Sequence, residues 1–273
     1  MSNTPPTAYE QRVVAFIDIL GFTAYIKDKS NDEAGFASVY AALSEVQDYF
    51  TKPNEFETED SRNFFRNDTQ IITASDCVII SRRIDERGGI YQMLWDCDFV
   101  THLLIERGFL CRGGIAFGDL YHKGNLIFGP AYLEALYMEK AADVPIVVFN
   151  QKLFDIAAAN PLPGQEEYGA AHAQDLMGYC KTHPKQQDTY YLDYFTNYDS
   201  WYGGGEGSAS IHYEYLRKLL AEGITESEPQ NTDTEKQALD RKKVFEKYRW
   251  AAEQYNLTAQ NFELKLVDIH QSL

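Results

Sequence analysis

Blocks of apolar and polar positions divide the chain into a mixed series of strands and helices. In residues 12–20, Val13, Val14, Ala15, Phe16, Ile17, Ile19 and Leu20 form an almost unbroken apolar run. That pattern predicts a central strand covered on both faces. Residues 33–50 predict a helix whose core-facing stripe is Phe36, Val39, Tyr40, Leu43, Val46 and Phe50. Residues 51–69 are polar and irregular and read as an excursion. In QIITASDCVIISRR, two β-rich runs flank Ser75-Asp76 and predict a tight hairpin. A helix is expected over 90–107, with Ile90, Met93, Leu94, Cys97, Val100, Thr101 and Leu104 on one side and Gly108 as its stop signal. FLCRGGIAFGDLYH and NLIFG read as paired strands, and a helix starts at Pro130. VPIVVF and DTYYLDYF are further strands. Residues 236–255 predict a last helix, with Val244, Tyr248, Ala251 and Ala252 on one face.

The order strand, helix, strand, strand, helix, strand is that of an α+β, ferredoxin-like βαββαβ core. The division expected is a catalytic domain over 1–200, then a hinge and C-terminal helical extension over 201–273. WYGGGEGSAS (201–210) reads as the hinge, and ESEPQNTDTE (226–235) as a polar, mobile connector. No internal repeat is visible.

Composition narrows the function. The 273 residues are 44% hydrophobic, enough for a buried core, and the net charge is −16. Such acidity repels a polynucleotide backbone, so nucleic acid is not an expected partner. A small anion held by local cations remains open. No apolar run approaches the roughly 18 residues of a membrane helix. The start lacks the basic and apolar regions of a signal peptide. Cys77, Cys97, Cys111 and Cys180 are scattered, which fits reduced thiols in the cytoplasm. The six histidines show no zinc-ligand spacing.

Two aspartates break apolar runs: Asp18 within the first strand and Asp76 in the hairpin turn. Strands so placed are neighbours in a ferredoxin-like sheet, so the two carboxylates converge. Buried like charges are costly unless a cation joins them. A divalent ion on oxygen ligands is one answer; turn capping through backbone N–H groups is the other. Gly21-Phe22-Thr23 follows the first strand, and a glycine there lets backbone N–H groups approach phosphate oxygens.

FIDILGFT resembles the first metal motif of class III nucleotidyl cyclases, and ITASDCVII resembles their second. CRGGIAFGDL is similar to their strand beginning Arg-x-Gly-Ile, and IFGPAYLEALYMEKAADVPIVVF to the helix and strand that follow. These four blocks span residues 13–149 in order. The family's purine enzymes carry Asn and Arg on that helix, where this chain has Leu133 and Tyr137. Their purine-reading positions are Ile72 and Leu126 here. With the later YYLDYF and KYRWAAEQYN, the whole is most similar to the Pycsar pyrimidine cyclases of bacterial anti-phage defence.

The resemblance implies a reaction. A ribose 3′-hydroxyl attacks the α-phosphorus of UTP or CTP, giving the 3′,5′-cyclic monophosphate and pyrophosphate. Two divalent ions, Mn²⁺ or Mg²⁺, bridge Asp18 and Asp76, with the Ile19 carbonyl as a further ligand. Arg112, Asp18 and Asp76 are the implied catalytic set. Arg112 binds the triphosphate, with backbone N–H groups of Phe22 and Thr23. The family's site lies between two protomers, which implies a homodimer with two shared sites, and its cyclic product acts on a downstream effector.

A pyrimidine leaves room that an aromatic on the first helix would fill, with Tyr40, Tyr49 and Phe50 as candidates beside Ile72 and Leu126. Each of the three aromatics also fits the helix-core pattern, and Arg112 also fits an exposed strand edge. Tyr137 is placed either to donate to phosphate or to pack at the interface. Three other readings compete: an adenylate or guanylate cyclase with an unusual base pocket, a catalytically inactive cyclase-like regulator, and an RNA-binding module on a similar sheet. Aliphatic strands and the acidic charge argue against the last.

Overall fold

The computed structural model describes residues 8–29, 31–52, 68–162, 164–195, 208–228, 230, 233–261 and 263–269. The elements are β1 (Glu10–Ile19), α1 (Phe22–Lys29), α2 (Glu33–Thr51), β2 (Gln70–Ala74), β3 (Cys77–Arg83), α3 (Gly89–Glu106), β4 (Cys111–Lys123) and β5 (Leu126–Phe128). They continue as α4 (Pro130–Ala141), β6 (Val147–Asn150), α5 (Lys152–Ala159), α6 (Gly169–Gly178), β7 (Cys180–Thr182), β8 (Thr189–Leu192), α7 (Ser208–Ser227) and α8 (Glu235–Asn261).

The strand order is β2-β3-β1-β4-β6-β8-β7, with β5 added to β4. β3 and β4 flank β1 antiparallel, and β6 runs parallel to β4. The first four strands thus have the ferredoxin-like order, and the fold is α+β with a C-terminal helical extension.

Strand parity sorts the side chains onto two faces. Val13, Ala15, Ile17 and Ile19 join Val78, Ile80 and Ile115 in the main core. α2 closes that face with Ala42 and Val46, and α3 with Ile90, Met93, Leu94 and Cys97. Val14, Ile79 and Ala116 point the other way, onto Ala131 and Ala135 of α4. β1 is apolar on both faces because helices cover both.

α4 reaches β4 closely because of Gly114. A Cβ built there would collide with the Ala135 carbonyl oxygen. Gly114→Ala is therefore expected to cost roughly 1–3 kcal/mol, seen as a lower urea midpoint at unchanged m-value. An unaltered midpoint would contradict this contact.

Several expectations need correction. Phe36 and Tyr40 were expected in the core but are 71% and 66% exposed. They stack on each other outside, with ring centroids 6.2 Å apart. Val39, Leu43, Val46 and Phe50 of the expected stripe do pack on the core, joined by Ala42, so the buried stripe is narrower than expected and leaves the Phe36–Tyr40 edge outside. Val244 is also exposed on α8. Most of the 51–69 excursion, 53–67, lies outside the described residues, as do 201–207 of the expected hinge and 229, 231 and 232 of the connector. α5, α6, β7 and α7 had no counterpart in the sequence pattern. The extension does not stand apart. Tyr213, Leu216 and Leu220 of α7 and Ala251, Ala252 and Tyr255 of α8 share a cluster with Ile105, Leu110, Tyr194 and Phe195.

Among the described residues no helix is long and apolar enough to cross a membrane. All four cysteines are free thiols.

Candidate active site

Asp18 sits near the end of β1, with Cys77 of β3 across on one side and Arg112 of β4 on the other. Residues paired across a sheet share a face, and Asp18 follows Val14 and Phe16 in parity. Its carboxylate therefore lies on the α4 face. The β2–β3 hairpin turns through Ser75, at φ +54°, and Asp76. The Ile19 N–H donates to the Asp76 carbonyl at 2.7 Å, which ties the hairpin tip to the end of β1. Both aspartates are thereby held at one end of the sheet by backbone bonding alone.

The charges around Asp18 interact. Burial, with Glu139 and Asp76 as like charges, pushes its carboxyl up to about 6 against the pull of Arg112 and Lys247. Burial and the same two aspartates also raise the Cys77 thiol. The negative field left by Asp18, Asp76 and Glu139 suits a divalent cation. Among the described residues no cluster of three or more His, Cys, Asp or Glu side chains forms a metal centre. Two carboxylates plus backbone and substrate oxygens would be the donor set, and that set fits a hard cation such as Mg²⁺ or Mn²⁺.

Arg112 is partly buried. It pairs with Glu139 of α4 and donates from Nη1 to the Ala142 carbonyl at 3.2 Å. Its guanidinium is thus fixed next to Asp18 rather than lying along the surface. Gly21, at φ +74°, turns the chain from β1 into α1, and the Tyr25 N–H bonds back to its carbonyl at 2.9 Å. Phe22 anchors that turn in the core while Thr23 is exposed. Their N–H groups belong to the first turn of α1, which has no intrahelical acceptor for them.

The base-pocket candidates divide. Ile72 pairs with Ile79 and packs on the α4 face, the same face as Asp18. Tyr40, Tyr49 and Phe50 lie on α2, which covers the opposite face. The Tyr49 hydroxyl donates to Asp96 at 3.0 Å and its ring stacks on Phe99. Asp96 in turn holds the buried Arg82, which stands opposite Val13. That is five strand positions from Asp18, ~16 Å at the rise of a β-strand. Phe50 packs on the core. Tyr40 alone of the three presents an exposed ring. Leu126 pairs with Lys123 in the β4–β5 hairpin, which folds back towards β3 and β2: the Gly124 N–H donates to the Gln70 side chain at 3.1 Å, His122 meets Ser81 at 2.8 Å, and Ile127 packs in the cluster that holds Ile72. Leu133 and Tyr137 are 65% and 69% exposed on the outer side of α4.

Two charged residues of the site escaped the sequence reading. Glu139 lies one helical repeat past Ala135, on the stripe of α4 that packs against the sheet. Lys247 lies one repeat before the buried Ala251 of α8. The signal in each case is a charge at a stripe position, visible once the buried face of the helix is fixed.

No protein-family model matches the chain, and no curated protein matches it in sequence. Among solved structures it is similar to the adenylyl cyclase CyaB from P. aeruginosa, at 13% identity and TM-score 0.42, over 69% of this chain and 96% of that one. It is similar to the guanylyl cyclase Cya2, at 10% identity and TM-score 0.41, over 55% and 81%. A third is the catalytic core of a rhodopsin-guanylyl cyclase with converted specificity, in complex with ATPαS, at 12% identity and TM-score 0.41, over 69% and 98%. No functional residue is carried across at these values.

Proposed function

We propose that this chain is a nucleotidyl cyclase. The observation that supports it best is that Asp18, Asp76 and Arg112 stand at one end of the sheet, where the charges of Asp76 and Arg112 both act on Asp18. Asp18 and Asp76, with the Ile19 carbonyl, would hold two divalent ions. When bound, such ions neutralise triphosphate charge and acidify a sugar hydroxyl. Arg112 offers a fork matched to phosphate oxygens and must leave Glu139, at least in part, to use it. The N–H groups of Phe22 and Thr23 meet the outer phosphates. In the reaction the 3′-oxygen forms a bond to the α-phosphorus and the α–β bridging bond breaks. Pyrophosphate leaves and the hydroxyl proton passes to solvent.

The substrate we infer is UTP or CTP. Ile72 and Leu126 offer no polar group at the positions where the resembled purine enzymes read their base. By the sequence resemblance each site lies in a homodimer and takes its acids from one protomer and its base pocket, Ile72 and Leu126, from the other. Exposed Leu126, Phe128, Leu133 and Tyr137 supply apolar surface for that contact. Tyr40 is the remaining aromatic candidate on α2 for base contact. The cyclic product would act in the cytoplasm as a second messenger of anti-phage immunity; that role rests on the sequence resemblance alone.

Incubation of the purified protein with each of the four NTPs and Mn²⁺, with products identified by mass spectrometry, tests this. A cyclic pyrimidine nucleotide is the expected product, and no product from any NTP would overturn the reading. Arg112→Ala should slow every accepted nucleotide by the same factor, about tenfold to a hundredfold, the value of one charge-assisted hydrogen bond. A strong change in the UTP/CTP ratio would show that Arg112 contacts the base instead.

A further inference from the structure

The C-terminal helix reaches this site. α8 is anchored on both sides of the Asp18–Arg112 pair. On one side its Trp250 packs on Ala142, Ile146, Val148 and Tyr191, with its ring 6.2 Å from that of Tyr191. Ala142 and Ile146 bracket Arg112: the Ala142 carbonyl accepts from its guanidinium, and the Ile146 carbonyl accepts from the Gly113 N–H. On the other side Leu20, two residues past Asp18, packs on the cluster that holds Ala251, Ala252 and Tyr255.

Lys247 lies one turn before Trp250 and Ala251. On α8 the neighbouring Lys242 and Lys243 are exposed, as is usual for lysine, while Lys247 is half-buried. Among the described residues it forms no hydrogen bond and no ion pair within 4 Å. Its charge is nevertheless felt by Asp18, Arg112, Glu139 and Asp143. The carboxylates of Asp18, Glu139 and Asp143 draw that ammonium inward and Arg112 repels it, yet none of the three acids is within ion-pair distance of it. A half-buried ammonium beside a guanidinium is in place for a ligand with more negative charge than one carboxylate.

We propose that Lys247, delivered by α8 of the same chain, binds the triphosphate of the substrate beside Arg112. The proposal rests on the nucleotidyl cyclase reading and adds to it. It makes the C-terminal extension part of the active site. It also supplies a second cation to phosphate, where the positions of the resembled purine enzymes' Asn and Arg on α4 are Leu133 and Tyr137. An ammonium on a flexible stem acts as a point charge that follows the phosphates, while the Arg112 fork fixes their orientation.

The test is binding, by calorimetry in the presence of Ca²⁺, of UTP, UMP, CTP and CMP to the wild type, Lys247→Met, Lys247→Arg and Lys243→Met. Methionine keeps the apolar stem and removes the charge. Lys247→Met should bind the triphosphates about tenfold to a hundredfold more weakly and the monophosphates as the wild type does. Lys247→Arg should recover most of the loss, and Lys243→Met, on the exposed side of α8, should bind normally. A thermal melt confirms that each variant is folded. Normal triphosphate binding by folded Lys247→Met would overturn the assignment and leave the cyclase reading intact. Tighter binding would overturn it in favour of a lysine that blocks the site. A wild type that binds neither triphosphate would overturn the cyclase reading and this inference together.

Discussion

Asp18→Asn or Asp76→Asn is expected to lower cyclic nucleotide formation by about three orders of magnitude or more, the scale of losing a principal electrostatic element of an active site. The same changes should leave the fold intact, and Asp18→Asn should stabilise the metal-free protein. Burial with Glu139 and Asp76 nearby raises the Asp18 carboxyl to about 6. An acid whose pKa is higher folded than unfolded binds its proton more tightly in the native state. Its contribution favours folding below the unfolded value near 4 and is lost as pH rises through about 6. At neutral pH the ionised Asp18 therefore costs stability, about 1–2 kcal/mol once a half-exposed group is discounted for solvent screening. Asparagine removes that cost, which corresponds to a rise of a few degrees in Tm. Divalent ion binding has the opposite pH dependence, because the ligand must be ionised; affinity should fall as pH drops below about 6. Thermal melts of wild type and Asp18→Asn at pH 5 and pH 7.5, without and with Mn²⁺, separate these effects. A variant that is active, or one less stable than wild type at pH 7.5 without metal, would refute the placement of Asp18 in an acidic, cation-seeking site.

The legible part of the molecule was the part fixed by local pattern. A short apolar run rich in β-branched residues favours a buried strand, and β1 is that strand, with Asp18 its one acidic position between Val13 and Leu20. Ser75-Asp76 between two β-rich runs specifies a two-residue turn, and Ala74 does pair with Cys77. Pro130 and Gly108 marked a helix start and a helix end. What local pattern left open was which stripe of a helix is buried. α2 has apolar residues over more of its circumference than the sheet covers, so Phe36 and Tyr40 looked like core and lie outside. The converse holds for Glu139 and Lys247. Charges on a buried stripe look like interruptions until the tertiary contacts show that Arg112, Asp18 and the helices meet there. The side on which Tyr49 works was also illegible, because its partner Asp96 and the buried Arg82 come together only in the folded sheet.

Two inactive variants should restore each other's activity when mixed. Within one chain the acids stand at one end of the sheet, and Leu126 sits on the β4–β5 hairpin that folds towards Gln70 and Ser81. In the proposed dimer each site combines the acid end of one protomer with the Leu126 hairpin of the other. Asp18→Asn inactivates the first contribution. Leu126→Arg inactivates the second by filling the base pocket, and its exposed position on β5 tolerates the longer side chain. Each variant alone has both of its sites damaged. In a mixed dimer one site receives both damaged halves and the other receives two intact ones. Equal mixing with free exchange gives about half mixed dimers with one working site of two, so activity should recover to roughly a quarter of wild type. Differently tagged subunits, co-expressed and purified through both tags, give pure mixed dimers with roughly half of wild-type activity. The recovery rises from a background about a thousandfold lower, so the signal is large. Purified mixed dimers without activity would refute the shared site, and full activity in Leu126→Arg alone would remove Leu126 from the pocket.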